Sequence, residues 1–194
     1  MSVFILGGKA KGFEVYLPSK VSFRPTSVML RRKFFDSKQH WDGLHFIDLC
    51  AGSGAMGWEA LSRGASQITL NDSSKQQQKI LQHSLDTWCE QFPEDRTKVS
   101  IDNLDVLTFL ESREIQSGTW LFFDPPYQQE NLYQKVLQLL LTKIIPRNAA
   151  IIIEFELKKN AKLIWHEELE KFRSNKASRE LQSSDRKIFI IEQK

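Results

Sequence analysis

The stretch FIDLCAGSGAMGWEALSRGA, residues 46–65, constrains this chain more than any other segment. A β-rich apolar run ends in Asp48, a loop holds Gly52, Gly54 and Gly57, and residues of helical spacing follow. Strand, glycine loop and helix in that order open a β-α-β unit, and three glycines let the backbone approach a ligand closely. The rest of the chain repeats the alternation. Short apolar runs at 45–49, 67–71, 98–102, 119–124 and 149–155 predict strands. Between them, Ser73 to Glu90 and Asn131 to Ile144 carry apolar residues at helical spacing. That pattern predicts a parallel sheet flanked by helices. The two ends differ: the first 20 residues predict a hairpin, VFIL and FEVYL around Gly7-Gly8 and closed by Pro18. Ser183-Ser184-Asp185-Arg186 predicts a turn into KIFIIEQ, a strand pairing antiparallel at the sheet edge. No internal repeat is evident.

Composition excludes several classes of protein. With 194 residues, 41% hydrophobic and 26% charged, the chain is ordinary for a globular fold and unlike a disordered or collagenous one. No apolar run approaches the roughly 20 residues of a membrane helix, and the start lacks the pattern of a secretory signal, so a cytoplasmic protein without a membrane is expected. Two cysteines, Cys50 and Cys89, make neither a disulfide framework nor a zinc site. His40, His45, His83 and His166 are scattered without ligand spacing, so no metal is expected. Cys50 has no neighbouring histidine to act as base and fits a small apolar filler. The net charge of +3 conceals an uneven distribution: residues 1–43 balance at +5, 44–157 at −6 and 158–194 at +4.

Gly52-Ser-Gly-Ala-Met-Gly57 satisfies the G-x-G-x-x-G dinucleotide fingerprint, with Asp72 placed for a ribose hydroxyl, so a nicotinamide oxidoreductase is one reading. Asp48 opposes it, because a carboxylate ahead of the loop repels a pyrophosphate at the helix N-terminus. The same acid suits S-adenosylmethionine, which carries an ammonium and a sulfonium and no phosphate. Asp105, after the third strand, is placed to accept from an adenine amine. The purely structural alternative is a tight strand-to-helix turn. Residues 122–127, Phe-Phe-Asp-Pro-Pro-Tyr, end the fourth strand on the same sheet edge. Prolines fix φ and donate no hydrogen bond, which holds the carbonyls around them in place. The Asp124 carboxylate and the Pro125 carbonyl then form two acceptors for an exocyclic nucleobase amine, with Tyr127 stacking on the base. A Pro-Pro turn that merely caps the strand is the bland alternative. Glu154 and Glu156 end the fifth strand on this edge, either lining the cleft or solvated.

Asp-x-x-Ala-Gly-Ser-Gly-Ala-x-Gly-x-Glu-Ala-Leu-Ser-Arg-Gly-Ala, then Asp-Pro-Pro-Tyr, with Arg24-Pro25-Thr26 upstream, resembles the RsmD-like methyltransferases over nearly the whole chain. The resemblance implies a Rossmann-like class I methyltransferase fold of the α/β class. Its sheet would be mostly parallel and seven-stranded, with an antiparallel C-terminal edge strand and a small N-terminal β-hairpin extension. It implies methyl transfer from S-adenosylmethionine to the N2 amine of a guanine in 16S ribosomal RNA. By that resemblance Asp48, Gly52 and Gly54 hold the methionine part of the cofactor, Asp72 its ribose and Asp105 its adenine. Asp124, Pro125, Pro126 and Tyr127 hold the target amine and base. Lys9, Arg24, Thr26 and Arg31 are the expected substrate contacts. The chain departs from the family at Val28 and Met29, where an Asp-Arg pair is usual, at Arg32, where Glu is usual, and at Asp72, where Glu is usual.

Residues 1–43 are therefore expected to form a basic, RNA-contacting hairpin and helix extension, and 44–194 the methyltransferase domain. The expected partner is 16S ribosomal RNA or the assembling small subunit, met by a monomer. An adenine-N6 DNA or RNA methyltransferase shares the Asp-Pro-Pro-Tyr chemistry, although no separate DNA-recognition domain is visible. A non-catalytic RNA-binding factor with the same fold is a further alternative.

Overall fold

The computed structural model describes residues 3–17, 26–126, 129–156, 166–173 and 177–192. The strands are β1 (Val3–Phe4), β2 (Glu14–Val15), β3 (His45–Asp48), β4 (Gln67–Asn71), β5 (Val99–Asp102), β6 (Thr119–Phe123), β7 (Ala150–Glu156), β8 (Ala177–Ser183) and β9 (Arg186–Glu192). The helices are α1 (Val28–Asp36), α2 (Ala55–Ser62), α3 (Lys75–Gln91), α4 (Val106–Glu111), α5 (Glu130–Thr142) and α6 (His166–Arg173). Seven strands form one sheet in the order β5-β4-β3-β6-β7-β9-β8, and β1-β2 pair separately. β3 to β7 run parallel, while β9 runs antiparallel to both β7 and β8.

The central strands are apolar on both faces because helices cover both, as a parallel sheet requires. Along β6, Trp120 and Phe122 face one core layer while Leu121 and Phe123 face the other. Ala150 and Ile152 against Ile151 and Ile153 divide β7 in the same way. Ser74 caps α3 by accepting from the Gln77 amide, and the helix buries Ile80, Leu81, Leu85 and Trp88 at the spacing read from the sequence. The KIFIIEQ strand lies one place in from the sheet edge. The edge is β8, whose sequence ASRELQS suits a strand with one open side. A two-residue turn joins them, Ser183 opposite Arg186, with Ser184 at φ 57°.

The N-terminal hairpin has a wider loop than a Gly7-Gly8 turn. Val3 pairs with Val15 and Phe4 with Glu14, and residues 6–12 arch over the C-terminal end of α2. There the Lys9 amide donates to the Ser62 carbonyl at 2.8 Å and the Ala10 amide to the Ser62 hydroxyl at 2.9 Å. Gly8, at φ +76°, admits no side chain, since a Cβ would stand 2.0 Å from the Ser62 carbonyl oxygen. Val3, Ile5, Ala10 and Val15 join Leu30, Phe34, Phe35 and Trp41 in the same apolar layer as Phe46, Trp58, Leu70 and Trp88. Residues 3–17 and 26–43 therefore share a core with the sheet.

Candidate active site

The chain leaves β3 towards β4 on one side and returns to β6 on the other, so the carboxyl ends of β3 and β6 flank a topological switch point, where open α/β sheets bind ligands. A cavity of about 580 Å³ opens there, lined by Asp48, the 50–53 loop, Asp72, Asp105, Asp124 and Pro125, among others. Its size is that of a small-molecule site. The structure thus brings Asp48, Gly52, Asp72 and Asp105 to one cavity with the Asp-Pro-Pro segment. Tyr127 and Arg24 lie outside the described residues.

Asp48 ends β3 almost fully buried, and its Oδ1 accepts from the Cys50 amide at 3.3 Å. Burial pushes its carboxyl up to about 8, against the Cys50 hydrogen bond and with help from the Asp72 and Glu154 charges. The two candidate glycines serve different ends. Gly52, at φ +53°, lines the cavity, and its amide donates to Asp72 Oδ2 at 2.9 Å. Gly54, at φ +77°, is demanded by the interior, because a Cβ would meet Trp58 Nε1 at 2.6 Å and Leu81 Cδ2 at 2.8 Å. Burial raises the Cys50 thiol well above its ordinary value and the surrounding carboxylates add to it, so the thiol is neutral and unreactive.

Asp72 is fixed by amides on both oxygens, Gly52 on one and Ser74 on the other at 2.9 Å. Burial lifts its carboxyl despite those bonds. The residue before it was not singled out from sequence and organises the whole edge. Fully buried Asn71 donates to the Leu49 and Leu104 carbonyls at 3.1 and 3.0 Å and accepts from the Leu104 amide at 3.1 Å. It thereby ties the loops after β3 and β5 together. The signal was an amide at the end of the buried run QITLN. Asp105 caps α4, accepting from both the amide and the hydroxyl of Thr108, which hold its carboxyl below the usual range. It is at once a helix cap and an acidic wall of the cavity.

Asp124 follows β6 directly. Since Phe123 is opposite Ile153, Asp124 and Glu154 emerge side by side from β6 and β7. Burial holds the Asp124 carboxyl well above its ordinary value, the Glu154 charge adds to that, Arg186 opposes it and Asp48 adds further. Pro125 is buried and Pro126 exposed, both on the cavity wall. Of the two candidate acids of β7, Glu154 is fully buried. It accepts from Thr26 Oγ1 at 2.8 Å and from Arg186 Nη1 at 3.0 Å, while Glu156 is half-buried at the strand end. Arg186 was expected only as a turn residue. No local signal marks it, because its partner lies 32 residues away.

The three substrate candidates among the described residues, Lys9, Thr26 and Arg31, do not form one surface. Thr26 is on the cavity wall with its hydroxyl turned to Glu154. Arg31 requires correction as a substrate contact. It is 1% exposed, it donates to the Phe4 carbonyl, and the Glu59 carboxylate nearby offsets the desolvation that lowers its guanidinium. It ties the hairpin to α1. Lys9 is bound to Glu94 and Asp95 at 2.9 and 2.7 Å beside the 3-10 turn after α3, away from the cavity, and acts as a hairpin anchor too. Lys38 stands over Trp120 beside a cavity with Gly43, Gly118 and Ala149, at the opposite edge of the sheet. Val28 and Met29 are exposed, at 60% and 58%.

The cavity carries Asp48, Asp72, Asp105 and Asp124 and, among the described residues, no Lys or Arg. A pyrophosphate finds no cation there among the described residues, whereas a cationic ligand with ribose and adenine hydrogens to donate finds acceptors. The set of acceptors fits S-adenosylmethionine. No group of acids, histidines or cysteines suited to a metal occurs among the described residues.

Sheet order, glycine loop and acidic switch point define the class I methyltransferase fold. Residues 3–182 match the model of the family described as conserved hypothetical protein 95, and the chain belongs to that family, the RsmD-like group. A relative from Buchnera aphidicola subsp. Acyrthosiphon pisum named ribosomal RNA small subunit methyltransferase D is 29% identical over 160 residues, 81% of this chain and 80% of the relative. A protein of the same name from Buchnera aphidicola subsp. Baizongia pistaciae is 30% identical over 161 residues, covering 80% and 76%. The structure of yhhF from Escherichia coli superposes with a TM-score of 0.76 at 22% identity, covering 100% of this chain and 99% of that one. SMU.776, solved in complex with SAH, superposes with a TM-score of 0.63 at 18% identity over 84% of this chain and 48% of its own.

Proposed function

We infer that this chain transfers a methyl group from S-adenosylmethionine to the exocyclic N2 amine of a guanine in 16S ribosomal RNA. The observation that carries the reading is the meeting of Asp48 and Asp124 on one cavity from adjacent parallel strand ends, a site for a cation beside a site for an amine. The relatives' shared name, ribosomal RNA small subunit methyltransferase D, supports the substrate class.

S-adenosylmethionine supplies a methyl on a positively charged sulfur that departs as a neutral thioether. The chain supplies position and charge. Asp48 and the Gly52 turn receive the methionine end, Asp72 the ribose hydroxyls and Asp105 the adenine amine. Asp124 and the Pro125 carbonyl accept the hydrogens of the target amine and turn its lone pair towards the methyl, so that most of the rate comes from alignment. Tyr127 stacks on the base, and Arg24 meets the RNA backbone. When nitrogen gains the methyl it loses a proton, and Asp124, made more basic by its surroundings, takes it. The enzyme works as a cytoplasmic monomer on free 16S RNA or the assembling small subunit, where unstacked bases cost little to reach.

Labelled methyl transfer to ribosomal subunits, free ribosomal RNA and DNA, with nucleoside analysis, tests this. N2-methylguanosine is the expected product; N6-methyladenine, or no product, overturns the assignment. Asp124→Ala is expected to lower kcat by at least about 100-fold. Cofactor affinity should be nearly unchanged by calorimetry.

A further inference from the structure

Glu154 is the deepest acid of the reactive edge, and four parts of the fold converge on it. Thr26, two residues ahead of α1, donates its hydroxyl to Oε2 at 2.8 Å. Arg186, the first residue of β9, puts Nη1 3.0 Å from Oε1. Tyr133 of α5 donates its hydroxyl to the Glu154 carbonyl at 2.9 Å. Asp124, on the neighbouring strand, feels the charges of both Glu154 and Arg186. Glu154 is 0% and Arg186 1% exposed. An ion pair taken wholly out of water returns little stability against its desolvation, so stability alone does not explain it.

The charge balance supplies another reason. Asp48, Asp124 and Glu154 crowd three adjacent strand ends, and among the described residues Arg186 is the cation whose charge acts on Asp124 there. An ionised carboxylate offers both oxygens to amine hydrogens, whereas a protonated one gives up one of them to a hydrogen of its own. Crowded acids raise one another, and a cation beside them opposes that rise. We propose that Thr26, Glu154 and Arg186 are positioning residues of the transfer site, a buried network by which the antiparallel strand β9 sets a cation against the acids beside Asp124 and the Thr26 segment is held against it. This deepens the methyltransferase reading and rests on Asp124 as the amine-binding acid. Among the described residues, the groups acting on Asp124 are Asp48 from β3, Cys50 from the following loop, Glu154 from β7 and Arg186 from β9, with Asp72 acting on the same loop from β4.

The test compares Arg186→Gln, Glu154→Gln and the double variant with the wild type. Asp124 ionisation is followed by 13C-carboxyl NMR, assigned by the signal lost in Asp124→Asn, and by the acidic limb of kcat. Removing the cation should move the Asp124 titration and the limb to higher pH by about one unit or more, and removing the acid should move both lower. The double variant, an uncharged amide pair that leaves no lone buried charge, should fold and return near the wild-type position. Thr26→Val should lower kcat several-fold with the KM for S-adenosylmethionine unchanged, and Thr26→Ser should restore it. Unmoved limbs, or shifts in one direction for both single variants, overturn the proposal. Because the carboxyl titration needs no RNA, opposite NMR shifts without any methyl transfer would sink the proposed reaction and leave the network standing.

Discussion

A carboxyl held up to about 8 at the tip of β3 is a group whose charge waits for a partner. The folded chain binds a proton at Asp48 that the unfolded chain releases near the ordinary carboxylate value, so burial of this acid costs stability progressively as pH rises from about 4 to about 8. Asp48→Asn removes that cost. The variant is expected to gain at least about 1 kcal/mol, roughly 2–4 °C in Tm, at pH 8 and nothing at pH 4, measured by calorimetric melting at both values. A cationic ligand reverses the linkage by stabilising the ionised form. At pH 7 cofactor binding should therefore release close to one proton from wild type and about none from Asp48→Asn. Titration calorimetry in buffers of different ionisation enthalpy reads that number directly, and equal release from the two proteins would remove Asp48 from the cofactor site.

At the scale of elements, the hairpin is a buttress of the sheet's helical layer. Glu59 of α2 is fully buried and accepts from the Leu6 amide and from Arg63 Nε, both at 2.7 Å, while Arg31 of α1 reaches past it to the Phe4 carbonyl. β1, α1 and α2 are stitched together by the buried charges of Glu59 and Arg31. Arg31→Met, which keeps the volume and removes the hydrogen bond, is expected to lower stability by about 1–3 kcal/mol in a denaturant titration. It should leave the salt dependence of RNA binding unchanged, whereas a phosphate contact would reduce the slope by about one. The joining of the loops after β3 and β5 depends similarly on Asn71, whose three hydrogen bonds link segments that no local pattern connects.

For the whole molecule, the basic side chains described in residues 3–17 and 26–43 do not become one patch. Arg31 is buried, Lys9 is paired, Lys38 is at the far sheet edge, and Lys11 and Arg32 remain exposed. What residues 3–17 and 26–43 contribute to the fold is apolar: Leu30, Phe34, Phe35 and Trp41 cover Phe46, Trp120 and Phe122. A fragment of residues 44–194 would expose that layer. It is expected to lack a cooperative melting transition and to show fast amide exchange along β3 and β6; a cooperative melt would mark the division at residue 43 as a true domain boundary.

The strands β3 to β7, the glycine loop and the Asp-Pro-Pro corner were legible because each depends on near neighbours: alternation along a strand, a left-handed turn at Gly52, a backbone fixed by two prolines. Even the acids at the strand tips could be placed, since parallel strands bring their ends to one edge whatever their order in the chain. Only the tertiary structure could show that Lys9 and Arg31 anchor the hairpin, that Thr26 is turned inward to Glu154, and that Arg186 belongs to the reactive edge. A charge in a sequence carries no mark of burial. Its partner, and so its role, is set by a contact between segments tens of residues apart that exists only once the sheet has closed around it.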